Sequence, residues 1–542
     1  MSTPAKHLRY RPLRAPREDR TALVEPPWGE VPALVTANLE RRARYDYDFH
    51  GLPLGELARQ AREELVAAAI RWTSSYRDVS GERREPGGGI FLAGHQPQLF
   101  HPGVWLKNFA LGTLARQHGA LAINLVIDSD TIKSSTLRVP GGSTSAPQVA
   151  LVPFDRSGPI VPFEERRVLD RATFLAFGQR AARQIAPLVS DPLIGQYWLL
   201  AIERSREVDN LGACLAQARN RLEQQWGLAA LEVPQSQVCR LPAFARFAVH
   251  LLARLPRLRT AYNDAVAEYR RLHGIRGTAH PVPDLAAEGE WMEAPFWIWT
   301  GDDPRRRRLF VRGERRRMVL SDRQQVEVAL PCSEDGDIQR AVGRLVELPG
   351  EGVRLRSRAL ITTLWARLVL GDLFLHGIGG AKYDQVTDAV IERFFGLAPP
   401  GFVVLSGTLL LPVPRERPTA AEVRAIDRRL RELTWHPETA VGQTTCLGRC
   451  RELAELVAAK ARWIGTPQTA QNASARCREI RRINAALQPW VAGEREWLVV
   501  RRAAIAAALR ADAVLAWREY GFCLYPETSL RDFLEGLLPN GD

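Results

Sequence analysis

Lysine is nearly missing from this chain. Of its 74 basic residues only five are lysine (Lys6, Lys107, Lys133, Lys382 and Lys460), and the rest are arginine. The scarcity makes the survivors informative, because an ammonium is a compact point charge that a guanidinium does not replace. Lys107, Lys133 and Lys382 lie in two stretches that carry other marks of a ligand site. Cysteine is also sparse. The seven residues Cys214, Cys239, Cys332, Cys446, Cys450, Cys477 and Cys523 are odd in number and irregular in spacing, which argues against a disulfide framework. Cys446 and Cys450 lie four apart without the histidines that complete a zinc set. No apolar run reaches the roughly 18 residues that cross a bilayer. The basic N-terminus MSTPAKHLRYRPLRAPREDR lacks the apolar centre of a secretory signal. Zinc-finger spacing, an RNA-binding signature and a helix-turn-helix pattern are all absent. A cytoplasmic protein with no membrane partner is expected.

What remains is an ordinary globular composition, 46% apolar and 25% charged over 542 residues, enough for two or three domains. The net charge of +13 is concentrated in the N-terminal tail, Arg305 to Arg308 and Arg315 to Arg317. Charge alone does not predict a nucleic-acid partner, and a basic cleft for a phosphate-bearing small molecule suits it as well.

The most informative stretch runs from Gly87 to Asp130. Ile90-Phe91-Leu92-Ala93 is a short apolar strand bounded by glycines, and Gly94-His95-Gln96-Pro97 is a turn. A helix opens near Pro102-Gly103 and stops at Gly119. Leu121 to Ile127 is a second strand, apolar except for Asn124, as for a strand covered on both faces. Strand, helix and strand make a βαβ unit, and in open parallel sheets ligands sit beyond the carboxyl ends of the strands. Those ends carry Gly94-His95-Gln96-Pro97 and Asp128-Ser129-Asp130, with Lys133 just beyond.

Before this unit, residues 1–30 read as a flexible basic arm and Leu54 to Tyr76 as a helix. After it come strands near Leu137–Val139 and Gln148–Val152, a helical insertion over 163–273, and a buried strand at Gly227–Val233. An aromatic β-hairpin spans 291–312. A second informative stretch is Leu375-His376-Gly377-Ile378-Gly379-Gly380-Ala381-Lys382-Tyr383-Asp384, in which Asp384 reads as the N-cap of a helix ending at Gly396. Glycines leading into a helix are a candidate phosphate cradle. Phe402–Leu405 reads as one more strand, closing a core over 31–415. Residues 418–517 are helical and Arg-rich, with breaks at Trp435-His436-Pro437 and Gly465-Thr466-Pro467, and predict two long antiparallel helices. Residues 518–542 should pack back on the core.

At these residues the chain resembles the cysteine-adding enzymes of bacillithiol biosynthesis. Gly94 to Gly103 with Lys107 matches that family's first turn and helix. Asp128-Ser129-Asp130 stands where the family has Glu-Asp-His-Asp, and Leu355-Arg356, Ile378-Gly379-Gly380 and Tyr383 follow its later landmarks. The resemblance implies an α/β fold with a Rossmann-like parallel-sheet core and a C-terminal antiparallel, coiled-coil-like helical domain that forms a homodimer. It also implies ATP or ADP as cofactor, with Mg²⁺. The implied activity is ligase-like, joining cysteine or a related small amino compound to a small-molecule acceptor. The polar set departs from the family's, with His95-Gln96 for Gln-Gln and Ala381-Lys382-Tyr383-Asp384 after the glycine pair, which points to a divergent relative. On this reading the catalytic candidates are His95, Asp128, Asp130 and Lys133. The cofactor-binding candidates are Gly94, Gln96, Pro97, Lys107, Gly379, Gly380, Lys382, Tyr383 and Asp384. The alternatives are a non-catalytic nucleotide- or metabolite-binding protein on the same scaffold and, supported by charge alone, a nucleic-acid-binding protein.

Overall fold

The computed structural model describes residues 8, 10–81, 89–314, 316–331, 338–441 and 451–539. The chain divides into two compact units. Unit 1 comprises Met1–Val139, Ala150–Pro412 and Arg518–Asp542, and unit 2 comprises Pro140–Val149 and Val413–Trp517.

The described strands are β1 (Thr21–Glu25), β2 (Ile90–His95), β3 (Leu121–Val126), β4 (Thr136–Gly142), β5 (Pro147–Pro153), β6 (Leu231–Pro234), β7 (Ala287–Glu288), β8 (Trp291–Thr300), β9 (Arg307–Glu314), β10 (Arg317–Ser321), β11 (Glu327–Leu330), β12 (Val353–Ser357), β13 (Leu373–His376) and β14 (Val403–Thr408). The principal sheet of unit 1 has the order β1-β14-β13-β2-β3-β6. Strands β14, β13, β2, β3 and β6 are parallel and β1 is antiparallel. The parallel strands read as continuous apolar runs because helices cover both faces. Their order in the chain matters for the site. From β2 the chain steps outward through β3 to β6, then returns to the other side of β2 for β13 and β14. The direction of winding therefore reverses between β2 and β13, and a crevice opens beyond the carboxyl ends of strands at such a reversal.

The second sheet, β11-β10-β9-β8-β12 with β7 beside β8, is antiparallel. Its aromatic hairpin β8–β9 carries a register shift between Ala294 and Trp297. Between β5 and β6 lie the helices Arg171–Ile185, Ile194–Arg204 and Leu211–Gln225.

Part of the arm expected to be flexible belongs to the sheet. Thr21–Glu25 pairs with β14 from Thr21↔Thr408 to Glu25↔Val404, and Leu13 is buried. The backbone N–H of Leu8 also donates to Glu268 Oε1 at 3.0 Å. The reason is tertiary: β14 offers a free ladder edge, and a five-residue run among arginines gives no periodicity to announce that it fills it. Residues 1–7 and 9 lie outside the described residues.

The C-terminal segment belongs to unit 1. Phe522 donates its N–H to Phe100 O at 2.8 Å, and the Phe522 and Trp105 rings lie 4.4 Å apart. In unit 2 the described helices are Ala420–Trp435, Pro437–Val441, Arg451–Gly465 and Ala473–Leu515. Among the described residues one helix is long, of 43 residues, where two were expected, with shorter helices packed on its Ile483, Leu487, Val491 and Leu498 side. Pro489 falls inside it. No helix among the described residues is long and apolar enough to cross a membrane.

Candidate functional site

The helix Pro102–Gln117 fixes the first part of the site. His101 caps it, Nδ1 accepting from Gly103 N at 3.1 Å, and Pro102 occupies the first helical position, where its missing N–H costs nothing. Gly103 lets the helix approach β14 closely, since a Cβ there would stand 1.9 Å from Gly407 O. This seating places Lys107 under the turn that follows β2. Lys107 is 3% exposed, and its ammonium donates to Gly94 O at 2.9 Å. Its Cε is 4.0 Å from a Cβ placed on Gly377, just past β13, so Lys107 bridges the two strands where the winding reverses. No carboxylate pairs with it among the described residues, and burial, then the nearby Arg219 guanidinium, pushes its pKa down to about 8.

His95 closes the same turn. Its Nδ1 lies 2.8 Å from Gln96 O, and since a carbonyl only accepts, Nδ1 carries the proton and Nε2 is left as an acceptor. Burial, then Lys107, holds its pKa well below the ordinary histidine value. Gln96 Nε2 donates to Asp130 Oδ2 at 2.9 Å. Asp130 in turn pairs with Arg306 at 3.1 Å and accepts from Thr131 N, so it ties the loop after β3 to the start of β9. Pro97 is buried against Gly212, where a Cβ would come within 3.1 Å of its ring. Lys133 is exposed and makes no hydrogen bond or ion pair among the described residues.

Across the reversal, the helix after β13 begins at Ile378 with Gly377 as its cap. Asp384 is therefore not the N-cap that its sequence context predicts. It lies nearly two turns inside the helix, 1% exposed, and accepts from His376 Nε2 at 2.6 Å, Arg367 at 2.8 Å and Thr363 Oγ1 at 2.5 Å. There its carboxylate fixes the orientation of His376. Burial acts to raise the Asp384 pKa, but Arg367 and then His376 overcome it and hold the carboxyl below the usual range. For His376, burial outweighs Asp384 and holds the imidazole pKa below its ordinary value. With Nε2–H donated to Asp384, its Nδ1 is the free acceptor. Gly380 leaves room for it, since a Cβ there would stand 2.6 Å from Nδ1. A Cβ on Gly379 would meet nothing within 4 Å. Lys382 and Tyr383 are set otherwise. The Lys382 charge helps to lower the His273 pKa, and the Tyr383 ring lies 6.1 Å from His280, so both belong to the side facing the helix Leu255–Leu272 and the loop after it.

No family model matches this chain, and no curated protein matches it.

A cavity of about 540 Å³ opens beyond the carboxyl ends of β3 and β6, between Trp72, Asp128, Glu164, Glu207, Ser236 and Arg240. Asp128 is 8% exposed. Each of its oxygens accepts one hydrogen bond, Oδ1 from Ser236 N at 2.9 Å and Oδ2 from Ser236 Oγ at 2.5 Å. Burial, then repulsion from Glu164, pushes its pKa up to about 7. Glu164 is itself clamped by Arg356 through two bonds of 2.9 and 2.7 Å. Among the described residues neither Asp128 nor the Arg240 side chain makes an ion pair, although Arg240 and Arg356 act on Asp128 through space. One cavity thus holds an unpaired acid and an unpaired guanidinium. Among the described residues no three His, Cys, Asp or Glu are grouped to hold a metal ion.

Of the residues expected from sequence, Gly94, His95, Gln96, Pro97 and Lys107 come together at the reversal, with Asp130 tied to Gln96. Asp128 stands in the cavity beside them. Sequence reasoning missed His376 as the partner of Asp384, Arg240 opposite Asp128, and the Glu164–Arg356 clamp. His376, at a strand end, and Arg356, in the Leu355-Arg356 stretch, carried a signal, and Arg240 and Glu164 carried none.

Proposed function

We propose that this protein is a nucleotide-binding, ligase-like enzyme with a Rossmann-like core, joining cysteine or a related small amino compound to a small-molecule acceptor. The observation that carries this reading is Lys107, a buried ammonium without a counter-ion at the point where the strand order reverses. A phosphate group offers the missing charge, and the helix starting at Ile378 presents free N–H groups and the positive end of its dipole beside it. The residues present therefore fit ATP or ADP, Lys107 and the first helical turn at Ile378, Gly379 and Gly380 holding its phosphates. Bound ATP supplies a good leaving group with which to activate the acceptor. Mg²⁺ commonly enters such sites on the phosphates, with one or two carboxylates.

The chain's own groups then divide the remaining work. Asp128 and Arg240 are a complementary pair for the ammonium and carboxylate of an amino acid in the adjacent cavity. His376, oriented by Asp384 at the end of β13, lies outside that cavity's lining and stands on the phosphate side, where it feels the Lys107 charge. A homodimer through the helical unit is proposed on the exposed Trp490, Trp497 and Val500, spaced along one helix.

Thermal shift with ATP or ADP, with and without Mg²⁺, tests the reading. A nucleotide at about 100 times its Kd adds roughly 2.7 kcal/mol of stability. No stabilisation by any nucleotide at millimolar concentration overturns the proposal.

A further inference from the structure

Unit 2 carries a cavity of its own, an open groove of about 620 Å³ between the helices Ala420–Trp435 and Ala473–Leu515. Five of the residues lining it are arginines: Arg424, Arg428 and Arg431 from the first helix, Arg495 and Arg502 from the second. Asp427 is the single acid among those residues. The two arginines of the long helix are held in place. Arg502 Nε donates to Asp427 at 2.6 Å, and Arg495 donates to Gln488 at 2.7 Å and to Thr434 at 3.2 Å. Arg424, Arg428 and Arg431 are exposed, and their side chains make no hydrogen bond or ion pair among the described residues.

The spacing turns these side chains into a track. Arg424 and Arg431 are seven residues apart, as are Arg495 and Arg502. At 1.5 Å per residue each pair spans about 10 Å along its helix. Guanidinium groups grip phosphate oxygens bidentately, and their mutual repulsion is relieved by an anion with charges repeated along its length. The charge is not confined to the groove. Unit 2 contains 18 Lys and Arg against 11 Asp and Glu, a net +7. The non-charged lining is Leu430 and Thr434, with no aromatic to stack a base. The groove is open rather than enclosed, which suits a strand passing through better than a small molecule held within.

We propose that this groove binds the phosphodiester backbone of a nucleic acid, independently of its sequence. Fluorescence anisotropy on the full chain tests it, with a fluorescein-labelled oligodeoxythymidine of about 20 nucleotides and a mixed-sequence strand of equal length. Each phosphate contacted contributes a slope of about −0.7 in log K against log salt for a single strand. Both strands should bind alike and weaken steeply between about 50 and 200 mM KCl. The triple variant Arg424→Gln/Arg428→Gln/Arg431→Gln should lose at least about tenfold in affinity and flatten the slope by about 2. Exposed glutamines leave the helix intact, which circular dichroism checks, and Arg501→Gln, an exposed position not lining the groove, should bind as the parent does. Three results overturn the proposal: no binding at about 50 mM salt, unchanged affinity and slope in the triple variant, or binding of inorganic tripolyphosphate without binding of either strand. The nucleotide site of unit 1 stands or falls separately, since none of these substitutions touches it.

Discussion

Single residues hold the charges that define the site, and two of them titrate where a pH series can follow them. Lys107 sits at about 8, held down by burial and then Arg219. A phosphate beside it favours the ammonium, so nucleotide affinity should be complete below pH 8 and fall as pH rises through it. Calorimetric titration with ATP between about pH 6.5 and pH 9.5 checks this, and a flat profile separates the ligand from Lys107. Asp128 runs the other way. Its carboxyl is raised to about 7 by burial and Glu164, with Ser236, Arg240 and Arg356 the other groups facing it. A raised acid contributes stability below its unfolded pKa near 3.9 and loses it as pH rises through 7. The protein should therefore weaken between pH 4 and pH 7 by up to about 4 kcal/mol, and Asp128→Asn should blunt that loss in denaturant melts.

At the level of elements, β2, β3, β6 and β14 of the principal sheet were legible because they are short, largely apolar and, in the βαβ unit, punctuated by glycine. The βαβ unit stands where the residues predict it, from Ile90 through the helix Pro102–Gln117 to Val126, and Gly119 adopts φ +61 just past the helix end. The turn of the first helix depends on one glycine. Gly103→Ala drives a methyl into Gly407 O and should cost about 3 kcal/mol by forcing helix and β14 apart. What could not be read was register and pairing. Asp384 looks like a cap because it follows glycines, but the helix starts six residues earlier, which turns its carboxyl inward to His376 and Arg367. Arg240 and Asp128 lie more than a hundred residues apart, and only the adjacency of β3 and β6 unites them. Asn124, the odd polar residue of β3, belongs to a buried network. It donates to Glu232, and Arg219 bridges Glu232 and Glu223 at 2.5 and 2.7 Å. Removing the central cation with Arg219→Ala leaves two buried carboxylates unpaired and should cost about 3–5 kcal/mol in a chemical melt.

At the scale of the whole molecule, the two units divide the chemistry. Unit 1 holds the sheet, the reversal and the cavity. Unit 2 holds the basic groove and an exposed apolar stripe at Trp490, Trp497 and Val500. If that stripe joins two copies, Trp497→Glu should convert a dimer to a monomer in sedimentation velocity. The central claim is that unit 1 binds a nucleotide at the reversal through Lys107. The most direct test is isothermal titration of ATP into the parent and into Lys107→Met, which keeps the length of the side chain and removes its charge. The account predicts saturable binding to the parent and at least about a tenfold loss, or about 1.4 kcal/mol, in the variant. Equal affinities, or no binding to the parent, would contradict it.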